Sequence, residues 1–401
     1  MPSALLRAFL VALPMLSLSL AQAQPLDQQS FSLCVAKLRK QAQQAGIPAQ
    51  VISESLATVA LEPRVVELDQ SQPEFTTSFA DYFTRRVSEK RIQQGRQYRT
   101  RLAPLLQQLT REYGVPGRYL LAFWGLETNY GSFIGNTPTL NALATLACDG
   151  RRGDYFSKEL INALRIIQAG DVSVARMKGS WAGAMGQVQF MPAIFLRYAV
   201  DRNGDGRRDL WGNTEDALAS AAHFLQGLGW QREQRWGREV VLPQSFDFSK
   251  VGLNQHYPLA QWNALGVRMT NGRPLAENVD WQASLVLPSG HRGPAFLVYP
   301  NFRVIMGWNH SESYSLAVGR LADRIAGAPP LHQAPVDAPR LDHDQVIQLQ
   351  QTLNQQGLDA GDTDGILGPG TRDAIARYQH QHGMIADGFP DKEVLKALGI
   401  L

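Results

Sequence analysis

Beyond its first twenty-three residues the 401-residue chain has no apolar run long enough to cross a bilayer, so its body does not read as membrane-embedded. Net charge is also scarce. The 39 Lys and Arg against 36 Asp and Glu leave +3, too small an excess to argue for nucleic acid but compatible with an anionic polymer. Cysteine is nearly absent: only Cys34 and Cys148 occur. In an oxidising compartment such a pair suits one disulfide tying the N-terminal helices to the core. Two separate buried thiols are the other option, and the spacing does not choose between them. No cysteine follows the first apolar run at a lipidation position.

That run belongs to a leader. Arg7 precedes the apolar stretch 8–20, and Ala21-Gln22-Ala23 has the form of a cleavage site, so residues 1–23 read as a signal peptide and the product as a soluble exported protein. Residues 24–326 follow as one long region, largely helical. Helices are expected over 32–45, 101–113 (with Pro104 in its first turn), 141–146, 159–169, 214–228 and 313–325. Between about 231 and 299 helical periodicity fades. Short β-like runs at 239–242, 284–287 and 295–298 predict a small β-containing insertion in a helical core of about 100–230 and 300–326. Four prolines in 327–340 mark a linker. Residues 341–401 predict a separate module of three short helices with Asp-Gly turns. The fold class is mainly α (α+β).

One stretch carries the chemistry. The apolar residues 119–126 end in Glu127-Thr128-Asn129-Tyr130-Gly131, which places a lone carboxyl near the C-terminal end of a buried helix, with Gly131 as the exit turn. Desolvation and the negative end of the helix dipole both disfavour its charged form, and a carboxyl protonated near neutral pH is a general acid. Downstream, 180–192 is uncharged and rich in small residues, with Gln187 and Gln189 able to bond a neutral polar substrate such as a sugar, although taken alone the stretch reads first as a tightly packed loop whose glutamines are satisfied by backbone. Then Asp201, Asn203, Asp205 and Asp209, with Gly206, follow the start of an EF-hand loop. Its twelfth position is Gly212, leaving Glu215 or Asp216 to close a longer cage. An Asx-rich turn without metal is the alternative.

The Glu127–Gly131 string, the string Ala182-Gly183-Ala184-Met185-Gly186 with Gln189-Phe190-Met191-Pro192, and the loop Asn203-Gly204-Asp205-Gly206 occur in one order. In this the chain resembles the soluble B-type lytic murein transglycosylases over nearly all of 30–326. Residues 341–401 resemble the common peptidoglycan-binding domain through Leu349-Gln350, Asp364-Gly365, Gly368, Thr371, Tyr378-Gln379 and Asp387-Gly388. The resemblance implies a lysozyme-like helical core with an N-terminal helical domain, and cleavage of the β-1,4 bond between N-acetylmuramic acid and N-acetylglucosamine without water, leaving a 1,6-anhydromuramyl end. It implies Glu127 as the catalytic residue, Ser180, Gln189 and Asn309 as sugar contacts, and Tyr314 as an aromatic of the cleft. It also implies no required cofactor, but a structural calcium on Asp201, Asn203, Asp205, the Arg207 carbonyl and Asp216. The expected setting is the periplasm, and the expected partner is peptidoglycan glycan strands, not nucleic acid. A monomer is expected, with wall-synthesis proteins as further candidate partners. Two departures stand out: His223-Phe224 where members often carry Asn-Tyr, and Trp308 where a Tyr can occur.

Ordinary glycosidases use two carboxyl groups, yet no second acid adjoins Glu127 in the sequence. One group suffices if the substrate's own C6 hydroxyl attacks C1. The rival readings are a hydrolysing muramidase and a non-catalytic wall-binding scaffold.

Overall fold

The first helix, α1 (Gln28–Gln44), starts at the Asp27 cap, whose carboxylate accepts the Ser30 N–H, so it begins a turn before the apolar period does. The computed structural model describes residues 26–71, 77–276, 280–337 and 339–401, and the expected signal peptide lies outside them. α2 (Ala49–Leu56), α3 (Pro63–Ser71), α4 (Phe79–Arg86), α5 (Glu89–Arg101) and α6 (Ala103–Tyr113) lead to α7 (Gly117–Thr128). Pro104 sits in the first turn of α6, where its missing N–H costs no helical bond, and Gly114 ends that helix at φ 77°. Every residue of α7 from Tyr119 to Leu126 is buried. This helix is apolar all round because other helices enclose it.

After a short strand β1 (Thr137–Pro138), α8 (Thr139–Asp149) and α9 (Gly153–Gln168) pack together. Cys34 on α1 and Cys148 on α8 form a disulfide, Cα atoms 5.8 Å apart, which decides between the two options left by the sequence. The strand β2 (Lys178–Gly179) pairs with β1 and opens the small-residue loop; α10 (Pro192–Tyr198) and α11 (Thr214–Gly227) complete this half of the core.

The insertion is an antiparallel sheet of β3 (Gly237–Val241), β4 (Tyr257–Pro258), β5 (Arg268–Met269), β6 (Gln282–Val286) and β7 (Ala295–Val298), in the order β4-β6-β7-β3-β5, with α12 (Leu259–Ala264) against it. Its central strands are covered on both faces. Val286, Phe296 and Val298 join the helical core, while Leu285, Ala295 and Leu297 pack with Trp262 and Leu259 in a core of the insertion's own. That is why these strands read as continuous apolar runs without alternation. The chain returns through α13 (Pro300–Trp308) and α14 (Glu312–Ile325), and α14 packs along α7.

The C-terminal module, α15 (His343–Gln355), α16 (Pro369–Gln381) and α17 (Lys392–Ala397), has a separate small core around Leu349, Leu353, Ile375 and Leu395. It is built on one device used twice. A helix glutamine donates to an aspartate and accepts the next glycine's N–H: Gln350 with Asp364-Gly365, and Gln379 with Asp387-Gly388. The segment before it is seated against β3 and α4, unlike a free tether. Glu239 accepts the His332 and Gln333 N–H groups at 2.9 and 3.0 Å, and Arg340 pairs with Asp81 of α4. His291 clasps Asp387 through its main-chain N–H at 2.9 Å and Nδ1 at 2.7 Å.

Candidate active site

Glu127 is the penultimate residue of α7 and the only one between Tyr119 and Thr128 that is not fully buried. Its Oε1 accepts two side-chain hydrogen bonds, from Trp308 Nε1 at 3.0 Å and from the Tyr314 hydroxyl. No donor among the described residues is found on Oε2, which is left for chemistry. Burial pushes the carboxyl up to about 7 from an ordinary 4.5, against the opposing pull of Tyr314, Trp308 and the more distant Arg86 guanidinium. Desolvation wins because the two hydrogen-bond donors are neutral and the one cation is solvent-exposed. No second carboxylate among the described residues acts on Glu127. The partly buried Asp149 is influenced by Asp69 and Arg151, not by Glu127.

The exit from α7 differs from the expected single glycine turn. Asn129 (φ 49°), Tyr130 (φ 60°) and Gly131 (φ 76°) are all left-handed, so the chain reverses just after Glu127. For two non-glycine residues this conformation is costly, and packing holds it. The Tyr130 hydroxyl donates to Arg91 O at 2.8 Å, and Thr128 Oγ1 donates to Gln187 O at 2.7 Å while accepting the Gly131 N–H. A Cβ on Gly131 would come within 2.7 Å of Gln187 Oε1, the atom that holds Trp124, and its φ of 76° itself favours glycine.

Gln187 is therefore a structural clamp and not a sugar contact: its Oε1 accepts Trp124 Nε1 at 3.0 Å and it is buried. The other polar candidates keep part of their capacity. Gln189 Nε2 donates to Ile134 O and Gly186 O, leaving Oε1 as an acceptor. Ser180 Oγ accepts the Ala184 N–H, leaving its own O–H to donate. Asn309, the cap of α13, accepts the Ser311 N–H on Oδ1 and keeps its amide hydrogens. Two donors and one acceptor, all uncharged, suit a neutral amide-bearing ligand. Tyr314 is 5% exposed and is spent on Glu127, so it positions the acid instead of forming an open cleft wall.

The two sequence departures meet in one place. Trp308 packs on Phe123 at 4.4 Å and on Phe224 at 5.1 Å, and Phe224 also touches Phe190. A phenylalanine at 224 thus completes an apolar wall, and the indole N–H supplies to Glu127 the donor that a tyrosine hydroxyl would otherwise offer. The contact was invisible in the sequence because the partners lie 181 residues apart. The same holds for Arg86, which reaches Leu126 O at 3.5 Å from the end of α4.

The Asp-rich loop folds on itself. Asp201 accepts the N–H groups of Gly204, Asp205 and Gly206; Asn203 and Asp205 each accept one two residues on. Asp216, fully buried at the start of α11, holds the loop from beneath: Oδ1 accepts Arg202 and Asn203 N–H, and Oδ2 accepts Asp209 N–H at 2.9 Å. Among the described residues no cluster of three His, Cys, Asp or Glu is gathered at metal-ligand spacing.

With this geometry in view, two family models match the chain: "Transglycosylase SLT domain" over residues 30–323 and "Putative peptidoglycan binding domain" over 342–398. The chain belongs to the SLT transglycosylase family. The membership fits a mainly helical lysozyme-like core that presents a single acid. Among solved relatives of this lytic transglycosylase, SltB3 from Pseudomonas aeruginosa, in complex with NAG-NAM-pentapeptide, is 45% identical. That alignment covers 92% of this chain and all of that one, with a TM-score of 0.89. The Escherichia coli lytic transglycosylase Slt35, in complex with calcium, is 29% identical over 74% of this chain and 92% of its own, with a TM-score of 0.62. Membrane-bound lytic murein transglycosylase B of Escherichia coli K12 is 34% identical over 244 residues, 60% of this chain; the match spans 65% of that relative's length.

Proposed function

We propose that this lytic transglycosylase cleaves the β-1,4 bond between N-acetylmuramic acid and N-acetylglucosamine in peptidoglycan, with Glu127 as acid and then base. The observation that carries the reading is a lone carboxyl, pushed up to about 7, with Oε1 held by two donors and Oε2 left over. Protonated Oε2 gives its proton to the glycosidic oxygen as the C1–O4 bond breaks and its electron pair leaves with the glucosamine. The muramyl C6 oxygen then bonds to C1, and its proton passes to the carboxylate. No water enters, and the acid ends as it began. The substrate's own hydroxyl arrives at high effective molarity, which removes the need for a second carboxylate. The aromatic wall of Phe123, Phe190, Phe224 and Trp308 limits competing water. The O–H of Ser180, the amide hydrogens of Asn309 and Gln189 Oε1 would orient the N-acetyl and hydroxyl groups. The proposed substrate and the expected leader both support a periplasmic setting.

Mass analysis of fragments released from purified sacculi tests this directly. Ends lighter by one water are expected from the wild type and absent with Glu127→Gln. Reducing ends would make the protein a hydrolase.

The oxygen-only donor set of Asp201, Asn203, Asp205 and the Arg207 carbonyl suits calcium, and Asp216 Oδ2, which accepts one amide, keeps a lone pair to close the cage. We propose a structural calcium there. Calorimetric titration should show binding and a raised Tm. Neither effect at millimolar calcium would refute it.

A further inference from the structure

Apart from the residues around Glu127, three arginines crowd round one space. A cavity of about 550 Å³ opens between α14, the insertion and the segment that leads to the C-terminal module. Arg235, Arg238 and Arg320 line it, together with Glu239, Asn271 and His332. Arg320 is only 7% exposed, and burial pushes its guanidinium down from the ordinary arginine value. A buried cation is costly unless it is paired, and pairing here is incomplete. Arg320 has Asp323 at 3.9 Å, beyond hydrogen-bond reach, and donates to the Pro329 carbonyl at 3.0 Å. The same Asp323 oxygen already accepts Arg235 at 3.1 Å and the Trp236 indole N–H at 3.0 Å. Arg238, on β3, has no acidic partner among the described residues; one N–H points at the Met269 sulfur, 3.5 Å away. The Nε groups of all three arginines are buried without an acceptor. Glu239 does not serve them, because its two oxygens are engaged by the His332 and Gln333 N–H groups.

Three guanidiniums against the carboxylates of Asp323 and Glu239 leave an excess of positive charge with donors to spare. We propose that the cavity is a binding site for a phosphate group, free or esterified, held between Arg235, Arg238 and Arg320. This goes beyond the glycan chemistry and does not depend on it. A carboxylate presents two oxygens in one plane, which a single guanidinium fork satisfies. A tetrahedral phosphate presents oxygens in several directions, which suits forks arriving from β3, the loop before it and α14. Asn271, whose Oδ1 accepts the Arg273 N–H, keeps its amide hydrogens to donate. Pro329, Pro330 and Leu331 form an apolar wall with room beside it for an organic substituent on the phosphate. That wall is the linker itself, so the ligand would brace the segment ahead of the C-terminal module.

Calorimetric titration of the full chain with inorganic phosphate, and separately with glycerol phosphate, at constant ionic strength tests this. Binding in the millimolar range or tighter is expected for at least one of them, and the tighter of the two tells whether a free or an esterified phosphate is taken. Acetate should not bind. Arg238→Gln, at a partly exposed position, should weaken phosphate binding about tenfold or more, and Arg238→Lys by less. Both should release fragments from sacculi at the wild-type rate when phosphate is absent. Arg165→Gln, at an exposed position on α9, should bind phosphate as the wild type does. Added phosphate should slow amide exchange at 269–271 and 329–333. No binding of either phosphate, equal binding of acetate, an equal loss in Arg165→Gln, or slowed exchange confined to other segments would each overturn the proposal. Thermal unfolding of the variants separates lost binding from lost fold.

Discussion

Glu127 and Asp216 are both carboxyls raised by burial, each at the end of a helix, and they do opposite work. Asp216 lies in the first turn of α11, where the dipole favours an anion, and three backbone N–H groups take up both of its oxygens. It holds a loop in shape. Glu127 lies in the last turn of α7, where the dipole opposes its charge, and both of its donors crowd onto one oxygen. Burial alone therefore does not mark an acid. What marks one is burial with an oxygen left over and no arrangement that fully satisfies the charge.

The comparison can be broken at either end. The largest effect expected is on turnover: Glu127→Gln should lower release of anhydro products by about 10²–10⁴-fold, the usual contribution of a positioned general acid, while the protein stays folded. Asp216→Ala should do the reverse. Three N–H groups lose their acceptor, and urea unfolding should show a loss of about 2–3 kcal/mol with turnover per folded molecule unchanged. If Asp216→Ala abolished turnover at full stability, the division of labour drawn here would be wrong.

A subtler effect follows from the pH dependence of stability. Glu127 titrates near 4.5 when unfolded and near 7 when folded. A carboxyl raised on folding adds most stability below its unfolded value and loses it as pH rises through the folded value. The stability gained by Glu127→Gln over the wild type should therefore grow between about pH 4.5 and 7 and level off above. Its ceiling is about 3 kcal/mol, reduced because solvent reaches the side chain. A gap independent of pH would mean that Glu127 is not desolvated.

Much of this was legible in the chain. The 3.6-residue period of Leu102, Leu105, Leu106 and Leu109 and the punctuation at Pro104 and Gly114 are local, and α6 follows them closely. The buried run before Glu127 and the two-faced strands β6 and β7 were legible for the same reason, since burial writes itself into composition. Gln187 and Gln189 could not be told apart locally, because a glutamine looks alike whether it faces sugar or clamps an indole; the structure gives Gln187 the packed-loop role. The left-handed run was missed because, although asparagine tolerates that conformation at a helix end, nothing in Tyr130's own preference calls for it. Long-range packing through Thr128 and Tyr130 imposes it.

The sequence by itself determined that one acid would end a buried helix, and local hydrophobicity and the dipole were sufficient for that. Only the tertiary structure decided which oxygen would be held and which left over. Trp308, Tyr314 and Arg86 come from three separate helices, 181, 187 and 41 residues from Glu127 along the chain. Side chains that far apart meet only when the core closes, and no local propensity records where they will meet.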